Sequence, residues 1–364
     1  MKKVMLLSVV ASGLIYAGGD IAPVAPVAPK VAPAACDFYG DIGFKFETKG
    51  KSDDLFKKAS NKFEISTKLG VNKQIGYGFG LGAEIKGKES TKDFKKISTS
   101  SEFTKLFLTY KTGNTEFTLG RQALPKSLSP WAYSDDSTYE GLVVKNTDLS
   151  DTTLVGAWIA TWVDNDVRHK VNGKNNSGLL MGAVEYKGIA NTTLRGTLYY
   201  VTKAKTVSAW ASAETKLDAA KLGLQVAYVK ADAAKKSYAV AGYAGTSFSG
   251  LNVKLTGAYA DITKNSPLSA TGNDDVAVWG EGLVGSFGNT THKVKLVRLD
   301  ADYKVGSGKL YSAVGYETEA KEVGAKLGYK FKINKISTKV EYKYNKVDKA
   351  AATHKIKVEA KYKF

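Results

Sequence analysis

The sequence predicts an all-β fold, a transmembrane antiparallel β-barrel of about eighteen strands, with about sixteen as the alternative count. Three observations support this prediction. From Phe38 onward, apolar and polar residues alternate in short segments separated by Gly, Asn, Asp, Lys and Ser clusters. The sequence printed here ends on an aromatic residue, Phe364. The apolar run near the N-terminus is short, and no later run approaches the roughly 18 residues that a transmembrane helix needs.

The N-terminal region divides into two predicted segments. Residues 1–17 have the basic start, short apolar run and small final residue of a secretory signal peptide. Residues 18–36 hold four of the seven prolines at close spacing, which favours an extended periplasmic tether; a contact with peptidoglycan or a partner is the alternative. The barrel is then predicted over residues 37–364. The single cysteine, Cys36, excludes an intramolecular disulfide, and Pro33-Ala34-Ala35 does not favour lipid attachment to it.

The formal net charge of +18 raises the question of a nucleic-acid partner. Export argues against that partner, and no nucleic-acid-binding motif is present. The lysines are instead interleaved with apolar residues along the predicted strands, which indicates a charged pore wall.

No enzyme, metal or cofactor is predicted. His169, His292 and His354 lie on separate segments, without the partners that hydrolytic catalysis requires. The acidic residues of 164–166 and 274–275 lack the spaced ligand set of a calcium site, so solvated loop acids are the preferred interpretation.

The predicted connections alternate between short turns and longer polar loops, as in barrels whose turns face the periplasm. Reading 276–287 as a strand would give an odd count and place the last strand in the wrong direction. We therefore predict one long loop over about 261–290. The change of parity between Leu296 and Val297 predicts a β-bulge near Leu296.

The last three strands put lysines on the face opposite the apolar one. Nine lysines oppose two acids, Glu341 and Glu359, and such a wall attracts anions. The alternative is that some of these lysines lie at the barrel ends, near lipid headgroups or turns. The predicted lumen-lining lysines are Lys326, Lys330, Lys332, Lys339, Lys343, Lys355, Lys357, Lys361 and Lys363.

A pore constriction is predicted from the third long loop, residues 122–138, together with the wall. Two prolines and two aromatics suggest that this loop packs inward, where its acidic pair would face the basic wall; a solvated external loop is the alternative. Arg195 and Arg298 have lumen parity, although an ordinary salt bridge within the wall explains them nearly as well. Arg121 has lipid parity and is expected just beyond its strand. The candidate constriction residues are Arg121, Lys126, Asp135, Asp136, Arg195 and Arg298.

Residues 117–160 resemble the segment around the third loop of OprD-type porins and the related Opr porins of epsilonproteobacteria. The resemblance rests on Leu119-Gly-Arg-Gln122, the proline-containing loop with Ser134-Asp-Asp136, and Tyr139-Glu-Gly-Leu-Val-Val-Lys-Asn146 before a strand. It implies a Gram-negative outer-membrane channel with the third loop folded inward, assembly as a homotrimer, and diffusion of small, often carboxylated solutes. The arginine-rich ladder of substrate-specific members is replaced here by lysine, so no substrate identity is transferred.

Several partners follow from this reading. Outer-membrane lipid and lipopolysaccharide are expected around the barrel. The C-terminal Tyr362 and Phe364 resemble the signal read by the outer-membrane assembly machinery. Two other hypotheses stay open at this point: an adhesin or structural protein with a plugged barrel, and a soluble periplasmic β-protein.

Overall fold

The computed structural model of the chain describes residues 36–51, 54–55, 61–92, 96–130, 138–164, 167–170, 178–202, 205–230, 236–262, 279, 283 and 292–364. The predicted signal peptide, nearly all of the predicted tether, and both Asp135 and Asp136 lie outside the described residues. What the sequence predicts for those segments therefore stays a prediction.

The described residues form nineteen strands and one 3₁₀ turn, Lys126–Leu128. The strands are β1 Cys36–Gly50, β2 Asn61–Gly76, β3 Phe79–Lys92, β4 Lys96–Thr112, β5 Thr115–Gln122, β6 Thr138–Asn146, β7 Thr152–Asp164, β8 Val167–Lys170, β9 Leu179–Tyr186, β10 Thr192–Val201, β11 Thr206–Lys216, β12 Ala220–Lys230, β13 Lys236–Phe248, β14 Leu251–Ile262, β15 His292–Val305, β16 Gly308–Glu317, β17 Glu322–Ile333, β18 Ile336–Val347 and β19 Thr353–Lys363.

The strands close into an antiparallel barrel of eighteen. Each barrel strand pairs with its neighbours, and β19 returns to pair with β1, for example Tyr362 with Ile42. The short β8 pairs only with the end of β7, while β7 continues the ladder with β9, so nineteen strands less β8 leaves eighteen in the wall. The predicted all-β barrel and its count are confirmed. Closure leaves none of the eighteen wall strands as an edge strand.

The connections distinguish two rims of the barrel, as predicted. Two-residue turns such as Gly113–Asn114 and Ser249–Gly250 lie at the rim that also carries Cys36 and Phe364, which we call the turn rim. The longer connections lie at the opposite, loop rim. β14 and β15 are paired directly along the whole length of β14, so no strand of the wall lies between Ile262 and His292. This resolves the parity question in favour of eighteen strands.

The outward face of the wall is apolar. Large side chains of one strand parity are exposed there, among them Leu106 at 60% and Leu198 at 62%. Aromatic rings gather at the turn rim, where Phe79 contacts Tyr110 at 4.7 Å between centroids. An apolar band flanked by aromatic residues is the surface that a barrel presents to lipid. Among the described residues, no helix is long and apolar enough to cross a membrane.

The inward face differs between two halves of the wall. From β6 to β16, its loop-rim part is lined by small or apolar side chains that form one buried cluster, including Ala239, Ala241, Ala260 and Val294. From β15 through β19 and on to β4, the inward face carries mainly lysines and acids. Strands such as β13 are apolar on both faces because lipid covers one face and packed loops cover part of the other.

The predicted bulge near Leu296 is wrong. The ladder between β14 and β15 runs without a shift from Leu251–Tyr303 to Ile262–His292. Val294 and Leu296 face inward and are buried in the cluster, whereas the apolar residues from Val297 onward face outward. Two apolar faces of one regular strand therefore gave the pattern that suggested a bulge. Register shifts occur instead at β2–β3, β3–β4 and β6–β7.

Candidate functional site: a basic channel wall beside two inserted loops

The third long loop begins inside the barrel. Leu124 and Leu128 are buried in the inward-facing cluster, and the carbonyl of Leu128 accepts a hydrogen bond of 2.9 Å from the hydroxyl of Thr197 on β10. Thr197 is 1% exposed and has the parity opposite to the outward Leu198. The described part of the loop is therefore folded inward, as predicted, while residues 131–137 lie outside the description. Lys126 lies in the 3₁₀ turn with an exposed side chain.

A second connection also reaches the wall from inside. The backbone N–H of Trp279 donates to Oε1 of Gln225 at 3.0 Å, and its ring meets the Tyr243 ring edge-on at 4.9 Å. Leu283 is buried, and its carbonyl accepts from Asn345 on β18. The long loop thus contacts the wall on both β12–β13 and β18. The sequence interpretation placed Trp279 in a loop but missed this contact; the apolar inward parity of β12 to β14 is the signal that could have indicated it.

Among the described residues, the other side of the lumen is open and basic. A cavity of about 1280 Å³ lies against β1–β3 and β15–β19 near the turn rim, and eleven lysines and four acids line it. The lysines are Lys45, Lys68, Lys86, Lys304, Lys309, Lys330, Lys332, Lys339, Lys357, Lys361 and Lys363. Six of the nine predicted lumen-lining lysines of β17–β19 are thus brought together around one space with lysines of β1–β3, β15 and β16.

Many lysines of this wall have acidic neighbours that sequence reasoning did not anticipate. Lys355 lies 3.0 Å from Glu47, and Lys361 lies 3.0 Å from Asp41. Both acids belong to β1, which only the closure of the barrel brings beside β19. Within the predicted wall, Lys357 pairs with Glu359 at 2.6 Å. The positive field of the wall is therefore smaller than the count of lysines alone predicts.

Further pairs on the same wall follow this pattern. Lys339 lies 3.1 Å from Glu341 and 3.8 Å from Glu359, so it bridges two acids. Lys309 lies 2.8 Å from Asp302. These pairs fix the side chains along the wall and leave the net charge of the cavity lining positive.

A group of lysines at the turn rim makes no ion pair within the described part of the chain. Lys304, Lys332 and Lys363 end three strands that run toward this rim, and all three line the cavity. Lys330 lies 5.0 Å from the ring centroid of Tyr311. Lysines that make no ion pair within the described residues thus concentrate where the channel meets the turn rim.

Two predicted lumen lysines lie deeper. Lys326 pairs across the ladder with Lys343, and neither lines the large cavity. Lys326 is partly buried and lies within electrostatic range of Arg298 and Asp300. Both lysines have the predicted inward parity.

The predicted arginines hold salt bridges within the wall. Arg195 lies 2.7 Å from Glu185 and 2.5 Å from Glu214, so it joins three neighbouring strands. Arg298 lies 2.7 Å from Asp300. Both arginines face inward, as predicted. Both are paired with carboxylates, which is the salt bridge within the wall that the sequence analysis gave as the alternative to a role in the constriction.

Arg121 is a correction to the predicted constriction. It lies inside β5 opposite Glu140 of β6, with Nη2 2.7 Å from the Glu140 carboxylate, and Nη1 donates to the carbonyl of Phe103. Its other cross-strand neighbour is the outward Leu106. The sequence correctly predicted that Arg121 has the parity of the lipid-facing residues. It did not predict that Arg121 is still part of the strand, where it pairs with both neighbouring strands. The ion pair sits on the outer surface and not in the lumen.

The last residue closes the barrel. Gly40 and Phe364 exchange two backbone hydrogen bonds, of 3.0 and 3.1 Å. A Cβ added at Gly40 would come within 2.5 Å of the Phe364 ring, so the ring occupies the space that the glycine leaves. Tyr362 stacks on Phe364 at 6.0 Å. Recognition of these two residues by assembly machinery stays a prediction.

Metal binding has no visible basis in the described residues, where no group of three or more His, Cys, Asp or Glu side chains could hold an ion. Cys36 is a free, exposed thiol.

Solved structures with this architecture come from Pseudomonas aeruginosa. OccK8 (OprE) has 13% sequence identity and a TM-score of 0.71, over 90% of this chain and 98% of that one. OccK9 (OpdG) has 12% identity and a TM-score of 0.70, again over 90% and 98%. The outer membrane protein OpdK has 12% identity and a TM-score of 0.68, over 90% and 99%, and has also been solved with vanillate. No protein-family profile and no curated protein sequence matches the chain.

The barrel has the fold of the OprD-type outer-membrane porins. The likeness covers the whole described wall, including the strand count, and it confirms the fold that the short motif around the third loop implied. It also agrees with the predicted outer-membrane location, and the apolar outward surface fits a barrel surrounded by lipid.

Proposed function

We propose that this protein is an outer-membrane porin through which small hydrophilic solutes diffuse passively, with a preference for anions. The observation that carries the proposal is the open cavity lined by eleven lysines and four acids, beside two loops that narrow the lumen. Barrels of this size leave an aqueous channel unless something fills them. In the part of the chain that the structure describes, the inserted loops pack on one side and the basic side is open.

The chemistry of the wall favours small carboxylates. Lys304, Lys332 and Lys363 can each meet an anionic group without first breaking an ion pair in the described wall. Like charge lining a narrow aqueous space raises the local concentration of the opposite ion. The neighbour OpdK has been solved with vanillate, a small carboxylate, which makes this compound a rational probe.

Uptake of a matched pair of solutes into proteoliposomes tests the proposal. Vanillate and vanillylamine share one ring and carry opposite charge. We expect vanillate to enter at least about tenfold faster, the lower end of electrostatic enhancement of entry. Equal rates, or faster entry of the amine, would contradict the anion preference.

A matched pair of variants assigns the effect to the cavity. K304Q/K332Q/K363Q removes three lysines from the turn rim, whereas K51Q/K321Q/K349Q removes three exposed lysines from the loop rim. Both variants lose the same formal charge. We expect only the first to lose most of the preference for vanillate.

The plugged-barrel hypothesis makes a different prediction. A structural or adhesive outer-membrane protein would show neither uptake nor single-channel conductance in the same preparations. Assembly as a homotrimer, proposed from the family resemblance alone, is tested by the mass of the detergent-solubilised particle.

A further inference from the structure

Three lumen tyrosines share one arrangement across three adjacent strands. Each tyrosine lies directly across the ladder from a glycine, and the other cross-strand neighbour of that glycine is in all three cases a glutamate. We call each set a Tyr–Gly–Glu module. The modules are Tyr39–Gly70–Glu84, Tyr243–Gly223–Glu214 and Tyr311–Gly328–Glu341.

The glycine lets the ring lie flat against the wall. A Cβ added at Gly70, Gly223 or Gly328 would come within 2.2 to 2.3 Å of the tyrosine ring across from it. The ring therefore occupies the volume that any other residue would fill. Since each ring spans the middle strand, its hydroxyl reaches the strand beyond.

Each hydroxyl donates to the glutamate on that third strand. The distances from the phenol oxygen to the carboxylate are 3.1 Å for Glu84, 2.7 Å for Glu214 and 2.9 Å for Glu341. Hydrogen bonds to an ionised acceptor are stronger than neutral ones. The phenols thus hold three carboxylates along the wall.

A basic side chain completes the coordination of each carboxylate. Lys105 lies 2.9 Å from Glu84, Arg195 lies 2.5 Å from Glu214, and Lys339 lies 3.1 Å from Glu341. Two of the acids are almost fully buried in consequence, with Glu84 at 3% and Glu341 at 5% exposure.

A lysine also lies over each ring. The ammonium of Lys105 is 5.9 Å from the centroid of Tyr39, that of Lys254 is 5.6 Å from Tyr243, and that of Lys330 is 5.0 Å from Tyr311. One face of each ring lies against its glycine, so the ammonium lies on the lumen side. In each module, the glutamate carboxylate therefore lies at the wall and a lysine ammonium group lies toward the lumen.

We propose that Tyr39, Tyr243 and Tyr311 are positioning residues for the selectivity of the channel. Their hydroxyls hold three glutamates back against the wall, so that lysines provide most of the charge that a passing solute meets. This inference rests on the proposed channel function and deepens it. It explains how a wall with many acids can still present a basic surface.

The Tyr→Phe exchange isolates the hydroxyl, because the ring continues to fill the space over the glycine. In planar bilayers under a potassium chloride gradient, we expect Y39F/Y243F/Y311F to lower the chloride-to-potassium permeability ratio by about twofold or more, since three released carboxylates enter the field of the lumen. The matched control is Y303F, which changes an outward-facing tyrosine. Unchanged heat-modifiability on gels checks that each variant is folded.

A double-mutant cycle separates positioning from packing. If the hydroxyl of Tyr311 acts by holding Glu341, then E341Q raises the permeability ratio more in the Y311F background than in the wild type. Equal effects of E341Q in both backgrounds, or wild-type selectivity in the triple variant, would overturn the inference.

The two proposals fail separately. A wild-type channel without anion preference overturns the proposed preference, while the inference is still judged by whether Y311F shifts selectivity toward potassium. A wild-type channel that prefers anions, with unchanged Tyr→Phe variants, overturns the inference alone.

Discussion

The hydroxyl of Thr197 anchors the third loop, and its removal should make the channel noisier. Thr197→Val preserves the shape of the side chain but removes the donor to the Leu128 carbonyl, 2.9 Å away in a buried setting. Losing one partner of a buried hydrogen bond costs about 1–3 kcal/mol. At about 1.4 kcal/mol per tenfold, the ratio of detached to docked loop should rise about 5- to 150-fold.

Single-channel recording measures this change directly. We expect T197V to show frequent transitions to a larger conductance level, because a detached loop leaves more of the lumen open. T197S retains the hydroxyl and should resemble the wild type. A T197V channel with wild-type noise and a wild-type open level would refute the idea that this hydrogen bond holds the loop.

Three further variants test other parts of the structure. Trp279→Ala removes the contact of the second inserted loop with the wall and should raise the mean conductance in bilayers. Gly40→Val places a side chain where the Phe364 ring lies, so the yield of heat-modifiable, folded barrel should fall. Arg121→Leu leaves the Glu140 carboxylate on the lipid-facing surface and should destabilise the barrel by about 1–3 kcal/mol in urea titrations, whereas R121L/E140L should recover much of the loss.

Matched controls exist for the first two variants. Trp158→Ala alters an outward-facing, exposed tryptophan and should leave the conductance unchanged. Gly156→Val places a side chain where no atom lies within 4 Å, so assembly should proceed normally. A conductance change with W158A, or equal folding defects at both glycines, would contradict these assignments.

Local alternation was enough to predict the barrel. The period-2 pattern of the last strand, 354–364, gave the parity of Tyr362 and the lysines between the apolar positions, and the alternation of turns and loops excluded an odd count. These features depend on residues close in sequence, so a single sequence contains them.

Contacts made by closure and by inserted loops could not be predicted in the same way. Glu47 meets Lys355 only because the first and last strands pair in one register. Val294 and Leu296 suggested a bulge because nothing local shows that loops bury the inward face beside them. Arg121 was assigned to the constriction through its position before the loop, although its parity already indicated the outer surface.

The reversal potential of the wild-type channel in a potassium chloride gradient tests the central claim most directly. The basic cavity, and the turn-rim lysines that make no ion pair with any residue the structure describes, predict that chloride is more permeant than potassium. A reversal potential of the opposite sign, showing potassium to be the more permeant ion, would contradict the account.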